Sequence, residues 1–134
     1  MNDLIIFPDA EAVLIRLLSE ALTEHGDATP VINPSAQRPG PQQMYVKVSI
    51  LGGSTSSLTI EWVNFAIDAI GPDEDACADL AALIRALIPT LAYAARSPVL
   101  GTTEISRPVL FPDPLTDEPA YTQQHQIRIR SLAA

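Results

Sequence analysis

The side chains that could perform chemistry are few and stand far apart along the chain. His25 and His125 are the only histidines, a hundred residues apart, and Cys77 is the only cysteine. Zinc sites need close pairs of such ligands, and an intrachain disulfide needs a second cysteine. Cys77 also lies on the apolar stripe of a predicted helix, where a packed thiol is expected rather than a reactive one. These residues predict neither a zinc site nor a catalytic thiol.

Acidic side chains gather in two places. The first group, from Asp73 to Asp79, would suit a hard metal ion, but acidic residues at the start of a helix are also what the helix dipole favours. The second group, Asp113, Asp117 and Glu118, lies among prolines, where Asx turns explain it. We interpret both groups as structural.

Serines concentrate between Gly52 and Ser57, without the pattern that surrounds an activated serine nucleophile. The sequence also lacks the glycine-rich motifs that bind phosphates or dinucleotides. We therefore predict no catalytic, cofactor-binding or metal-binding residue, no cofactor and no enzymatic activity.

Length and charge narrow the class of protein. The 134 residues fit one domain, 1–134, and hydrophobic residues make up 47% of them. The net charge is −8 and Lys47 is the only lysine, so direct binding to a phosphate backbone is disfavoured. No run of about 18 apolar residues predicts a membrane span, and the start of the chain lacks the basic region of a signal peptide.

The stretch from Met44 to Ile70 predicts a long β-hairpin. Apolar and polar residues alternate from Met44 to Leu51, which is typical of a strand. Gly52, Gly53 and Ser54 are expected to form the turn. The apolar parity changes along the returning strand, so we expect a β-bulge near Trp62 to Asn64, or a strand buried on both faces.

Two helices flank the hairpin. Asp9 is the expected N-cap of a helix that ends near Glu24, and Asp73 opens a second helix that Pro89 ends near Ile88.

Further strands complete the pattern. We expect strands at 99–109 and 121–131, and a short edge strand at most at Val31 and Ile32. The order α-β-β-α-β-β predicts an α+β fold, a mainly antiparallel β-sheet of about four strands with two helices packed on one face.

Four segments carry a resemblance to a known family. They are the helix Asp9–Leu18, the strand pair around Gly52 and Gly53, the helix Ala78–Arg85, and the turn and closing strand that begin with Phe111–Tyr121. Together they resemble the tail terminator proteins of bacteriophages with long non-contractile tails and of related prophage elements. The resemblance spans nearly the whole chain.

The resemblance implies a structural role without catalysis. Tail terminators form a ring, usually of six subunits, that caps the tail tube, ends its polymerisation and offers a docking surface to the head connector. The implied partners are copies of the same chain, the major tail tube protein and the head-tail connector protein, with no membrane. DNA would pass through the ring without specific binding. The implied location is the tail neck of the virion, after assembly in the bacterial cytoplasm.

Under this resemblance, exposed strand edges and the hairpin tip would pair with neighbouring subunits. The predicted subunit interface consists of seven residues from the tip and the last strand: Gly52, Gly53, Ser54, Gln123, Gln126, Arg128 and Arg130. The acidic balance would let DNA slide past a negative lumen, or it would merely keep the protein soluble.

Two alternatives remain. One is another neck component, a head-tail connector or tail-completion protein, since these are also small α+β domains that form rings. The other is a small ligand-binding or hydrolytic α+β domain, which would need a concave pocket with converging polar groups. Asp73 to Asp79 and His125 would be its only candidates.

Overall fold

The computed structural model describes residues 4–40 and 42–132. Helix α1 spans Ala10–Glu24, and the Asp9 side chain accepts a hydrogen bond of 3.2 Å from the Ala12 N–H at its start. At its end Gly26 adopts φ +76°, a conformation that favours glycine. The predicted helix and its N-cap are confirmed.

A single five-stranded sheet has the order β1-β2-β3-β5-β4. The strands are β1 Val31–Ile32, β2 Tyr45–Thr55, β3 Ile60–Ile70, β4 Val99–Leu110 and β5 Ala120–Arg130. All neighbours pair antiparallel except β1 and β2, which are parallel. The predicted α+β class is confirmed, with five strands instead of about four because the short strand β1 joins the sheet.

Helix α2 spans Glu74–Leu87, with Asp73 as its N-cap, and continues as a 3₁₀ helix over Ile88–Tyr93. The change of helix type comes at Pro89, as the sequence predicts. The combined unit Glu74–Tyr93 is long and apolar enough by composition to cross a membrane. In the fold its apolar side packs on the sheet as part of the core.

The hairpin differs from the prediction in two respects. Gly52, Gly53 and Ser54 belong to β2, and the turn lies at residues 56–59. The bulge is also on β2, because Ile50 pairs with Phe65 and Gly52 pairs with Asn64, which leaves Leu51 as the extra residue. The β3 strand keeps its alternation without a bulge. Trp62 lies on the opposite face from Val63, and the Arg128 side chain partly covers it there. A regular strand therefore accounts for the partial burial of Trp62 without a bulge.

Both helices pack on one face of the sheet and form the main core with it. The other face, called the open face below, carries the β3 residues Trp62 to Ile70 of even number and their partners on β5. Two proline-rich loops cover its lower end, and a 2.6 Å ion pair between Arg38 and Glu118 joins them. Beneath them Tyr45, Ile70 and Ala120 form a smaller apolar cluster.

Candidate assembly interface

One side of the sheet ends in an unpaired stretch of β2. Strand β1 pairs only with Val46 and Lys47, so within the described residues the range 49–55 has no strand on its outer side. Ile50 is 45% exposed and Leu51 is 54% exposed in this stretch. Three predicted interface residues, Gly52, Gly53 and Ser54, lie here, on an open strand edge rather than at a turn.

The other side of the sheet ends in β4, which among residues 4–40 and 42–132 pairs only with β5. Four large apolar side chains of this 12-residue strand are exposed, namely Leu100, Ile105, Val109 and Leu110. The pairing of β4 with β5 is interrupted between Val99 and Gly101, between Glu104 and Ser106, and before Val109. No edge strand was predicted at β4, although isoleucine and leucine among its polar residues were the available signal.

The two open edges lie at the same height, which here means the same position along the strand direction. Strand pairing aligns Thr55 with Glu61, Glu61 with Ile129, and Ile129 with Val99. At the other end of the open stretch the same pairing aligns Ser49 with Ser106, through Ala66 and Gln124. The unpaired part of β2 therefore matches the first two thirds of β4 in position along the strands.

The predicted interface residues of the last strand divide between the two faces of the sheet. Gln126 is half-buried on the open face, and Arg128 and Arg130 are exposed there. Gln123 was expected to form hydrogen bonds across a subunit boundary, and it is instead fully buried under α2, where its Nε2 donates to the Ala81 carbonyl at 3.0 Å. Strand alternation places it on the core face, so it does not belong to the accessible interface.

The upper part of the open face is a flat surface of polar and aromatic side chains. The Arg128 guanidinium lies 5.6 Å from the centre of the Trp62 ring, a cation–π distance. The same guanidinium lies over Gly101 of β4, where a side chain would collide with it. The Oδ1 atom of Asn64 is buried on this face without a hydrogen-bond partner. Leaving such an atom without a hydrogen bond carries a desolvation cost.

Lower on the open face, Lys47 Nζ lies 3.9 Å from Asp68 Oδ2. Burial raises the pKa of Asp68, and a hydrogen bond from Thr122 and the charge of Lys47 oppose that rise. The Oδ1 atom of Asp68 has no hydrogen-bond partner. The Lys47 charge and the Thr122 hydrogen bond therefore offset only part of the cost of burying this carboxylate.

A groove of about 530 Å³ runs between α2 and the second half of β4. Its floor and rim are formed by Ala78, Ala82, Arg85, Ala86, Arg107, Pro108 and Tyr121. Arg85 bridges to Glu104 with distances of 2.6 and 2.9 Å, and this hydrogen bonding lowers the pKa of Glu104. The charge of Arg107 also lowers the pKa of Glu104. The groove therefore carries two cationic side chains and one carboxylate.

The candidate residues of a small ligand-binding or hydrolytic domain have these surroundings in the fold. His125 is buried against Gln123, and burial lowers its pKa. Asp73 caps α2, and its neighbours Glu74 and Asp75 are exposed. Burial, followed by the charges of Asp73 and Glu118, raises the pKa of Cys77 to about 11. No group of three or more potential metal ligands occurs among the described residues.

Another cavity, of about 560 Å³, lies beside the loop that carries Arg38. Arg38 stacks 5.2 Å from the centre of the Tyr45 ring and pairs with Glu118. The two charged side chains of this cavity are therefore paired with each other and join the two loops.

Comparisons with known proteins show the fold. No protein-family model matches this chain, and neither does any curated protein. A solved structure whose name carries no functional description covers 95% of this chain and 99% of its own. It superposes with a TM-score of 0.51 at 15% sequence identity. At this identity the likeness shows a similar fold and nothing about activity.

Proposed function

We propose that this protein is a structural component of phage tail assembly, a tail terminator that forms a ring on the tail tube and stops its growth. The observation that carries the proposal is the pair of open strand edges, on β2 and β4, at the same height on opposite sides of one sheet. The resemblance of the four sequence segments supplies the biological context.

The geometry of these edges favours a head-to-tail contact. A contact between two different patches is heterologous, and it generates a ring when the rotation between subunits closes. Continuing the sheet order places the β2 of one copy beside the β4 of the next with antiparallel strands, because directions alternate from β2 through β3 and β5 to β4. Such pairing would satisfy the free backbone groups and cover Ile50 and Ile105.

A closed ring explains how the protein would end polymerisation. Once every edge is paired with a neighbouring copy, no strand edge remains to recruit further subunits. One rim would bind the last ring of the tube protein, and the other would remain for the head connector. DNA would pass through the centre without specific binding, since the chain's net charge of −8 repels phosphates.

Light scattering coupled to size exclusion tests the assembly. The purified protein should form a closed oligomer whose fraction rises with concentration, and Ile105→Lys on the β4 edge should shift it toward monomer while circular dichroism stays unchanged. Leu115→Lys is the matched control, because Leu115 is an exposed apolar residue in a loop beside Tyr45 and Lys47, outside the open stretch 49–55 and outside β4. A protein that stays monomeric at millimolar concentration would contradict self-assembly.

Electron microscopy of phage particles lacking this gene tests the tail role. If the protein is a tail terminator, particles without it should have overlong tails, because the tube protein would continue to polymerise. Tails of normal length beside unjoined heads would instead identify a head-tail connector or tail-completion protein.

A further inference from the structure

We infer that the open face of the sheet lines the channel of the assembled ring and contacts the phosphate backbone of duplex DNA through arginines near its upper end. The inference rests on the ring proposed above and names the side of the sheet that meets the DNA. The upper end is the one at which β4 and helix α1 begin. A contact to phosphates carries no sequence specificity.

The helices need too much width to lie inside a closed ring of these sheets. At the level of the joined edges each copy adds four strands, β2, β3, β5 and β4. At about 4.8 Å per strand this unit is roughly 19 Å wide. Helices α1 and α2 lie side by side on one face. With about 8–10 Å for each helix they need roughly 16–20 Å per copy. A layer inside a closed sheet has less width than the sheet, so the helices fit only outside it.

The open face therefore points toward the axis of the ring. Closed sheets of about 8 strands are filled by their own side chains, whereas closed sheets of about 16 or more can enclose an aqueous channel. Four copies with four strands each reach about 16 strands. The wall of such a channel would be largely polar and uncharged, with the side chains of Ser49, Asn64, Thr103, Ser106, Gln124 and Gln126.

The charge on the upper open face is positive, although the chain as a whole carries −8. Arg128 and Arg130 are exposed there. From the level of Ser49 upward, the carboxylates of the described strands are Glu61 and Glu104, and both lie on the helix face. The upper open face thus presents two cations per copy without a carboxylate beside them.

Inside a channel the charges of the wall decide the interaction. At physiological ionic strength, exposed charges more than about 8 Å apart are largely screened from each other. The acidic residues of α1 and α2 lie behind the sheet, and Asp68, on the open face, lies lower and beside Lys47. The net charge of −8 therefore governs the approach of DNA from bulk solution, and the arginines govern its contact with the wall.

The two arginines are positioned for such a contact. The Arg128 guanidinium stacks 5.6 Å from the centre of the Trp62 ring. Stacking uses the flat face of the guanidinium and leaves the N–H donors along its edge for phosphate oxygens. Arg130 follows two residues later on the same face of β5, and its Nη2 reaches the Ser97 carbonyl at 3.5 Å. Since every copy contributes the pair at the same height, the arginines would form a closed belt around the channel.

Thiol labelling tests which face lines the channel. Thr103→Cys places a thiol on the open face, and Ala12→Cys places one on the exposed side of α1. Cys77 is fully buried and stays unlabelled. In the oligomer a small maleimide should label both positions, while a maleimide carried on a globular protein should label only Ala12→Cys. Protection of Ala12→Cys, or equal labelling of both positions by the bulky reagent, would overturn the inference.

Fluorescence anisotropy with a short labelled DNA duplex tests the phosphate contact. The assembled protein should bind at low salt, and its affinity should fall steeply as salt is added. Gln124 lies on the open face one strand inside the β4 edge. Gln124→Lys should therefore raise the affinity about tenfold, and Gln124→Glu should lower it about tenfold. The same two changes at Ala12 are the matched control and should shift the affinity by less than about twofold.

Equal effects at Gln124 and Ala12 would mean that only the net charge matters and would overturn the inference. An assembled protein that does not bind the duplex at low salt would overturn it too. Both results leave the proposed ring intact, because light scattering measures assembly separately. A chain that is monomeric at every concentration would overturn the inference together with the proposed function.

Discussion

Gln123 and His125 are joined by a 2.7 Å hydrogen bond in the interior, beneath helix α2. Gln123 Nε2 donates to the Ala81 carbonyl, so its Oε1 is left to accept from His125. The tautomer that fits is the neutral imidazole with its proton on Nε2. This chain of hydrogen bonds links the middle of β5 to the middle of α2 and fixes the helix on the sheet.

Stability should therefore fall in mild acid. Burial lowers the pKa of His125 below its ordinary value of 6.5, with Glu104 opposing that shift and Arg85 supporting it. The unfolded chain then binds the proton more readily, so stability is highest above pH 6.5 and declines as the pH falls below it. The urea midpoint should drop between pH 7.5 and pH 5, and His125→Gln should reduce that drop. An equal drop in both proteins would exclude His125 as the cause.

Replacing Gln123 should destabilise the fold without directly touching a subunit contact. Gln123→Leu removes the donor to Ala81 and leaves the His125 N–H buried without an acceptor. The expected loss is about 1–3 kcal/mol in the free energy of unfolding, measured by urea titration. Gln126→Leu on the open face is the control and should change stability by about 0.5 kcal/mol or less. Equal effects would mean that the buried hydrogen bonds contribute little.

Gly53 should not tolerate a side chain. An added Cβ would collide with the Trp62 carbonyl of the paired strand, so Gly53→Ala should cost more than about 1 kcal/mol in the free energy of unfolding. Gly40→Ala is the control, because no atom lies within 4 Å of its added Cβ. Thermal unfolding of the two variants measures the difference, and similar midpoints would show that the hairpin yields at this position.

Cys77 should react only when the protein unfolds. Its side chain is fully buried, and its pKa of about 11 keeps the thiol protonated at pH 8. A disulfide reagent such as Ellman's reagent should therefore react slowly in buffer and rapidly above the urea midpoint. Rapid reaction in buffer would indicate that the start of α2 opens locally.

The arginines of the last strand should matter for assembly and little for folding. Arg128→Glu combined with Arg130→Glu reverses two charges on the open face, and the Arg128 guanidinium lies over Gly101 of the edge strand β4. We expect the double variant to lose the oligomer in light scattering while circular dichroism and the urea midpoint stay near those of the parent. Unaltered assembly would remove the last strand from the interface.

Local patterns in the sequence were sufficient for most of the fold. The caps Asp9 and Asp73, the stop at Pro89 and the alternation of β5 each follow from one short stretch of chain. The location of the bulge could not be predicted, because an extra residue on either strand of a hairpin changes the relative phase in the same way. The bulge lies at Leu51.

The surface available to a partner was harder to predict. Gln123 is polar and has polar residues on both sides of it in β5, which is typical of a surface position. In the fold it lies with His125 and Ile127 on the face of the sheet that the helices cover. Which strand forms an edge depends on the order of strands in space, and the insertion of β5 between β3 and β4 is not encoded in any local pattern. The groove between α2 and β4 depends on that order too.

Lys47 is the only lysine of the chain, and it lies on the open face beside Asp68. Amine-directed reagents consequently have one side-chain target, so once the more acidic terminal α-amine has been blocked near neutral pH, a fluorophore can be attached at a known position without engineering the sequence. Energy transfer between donor-labelled and acceptor-labelled copies would then report the spacing of subunits, and stepwise photobleaching of single particles would count them.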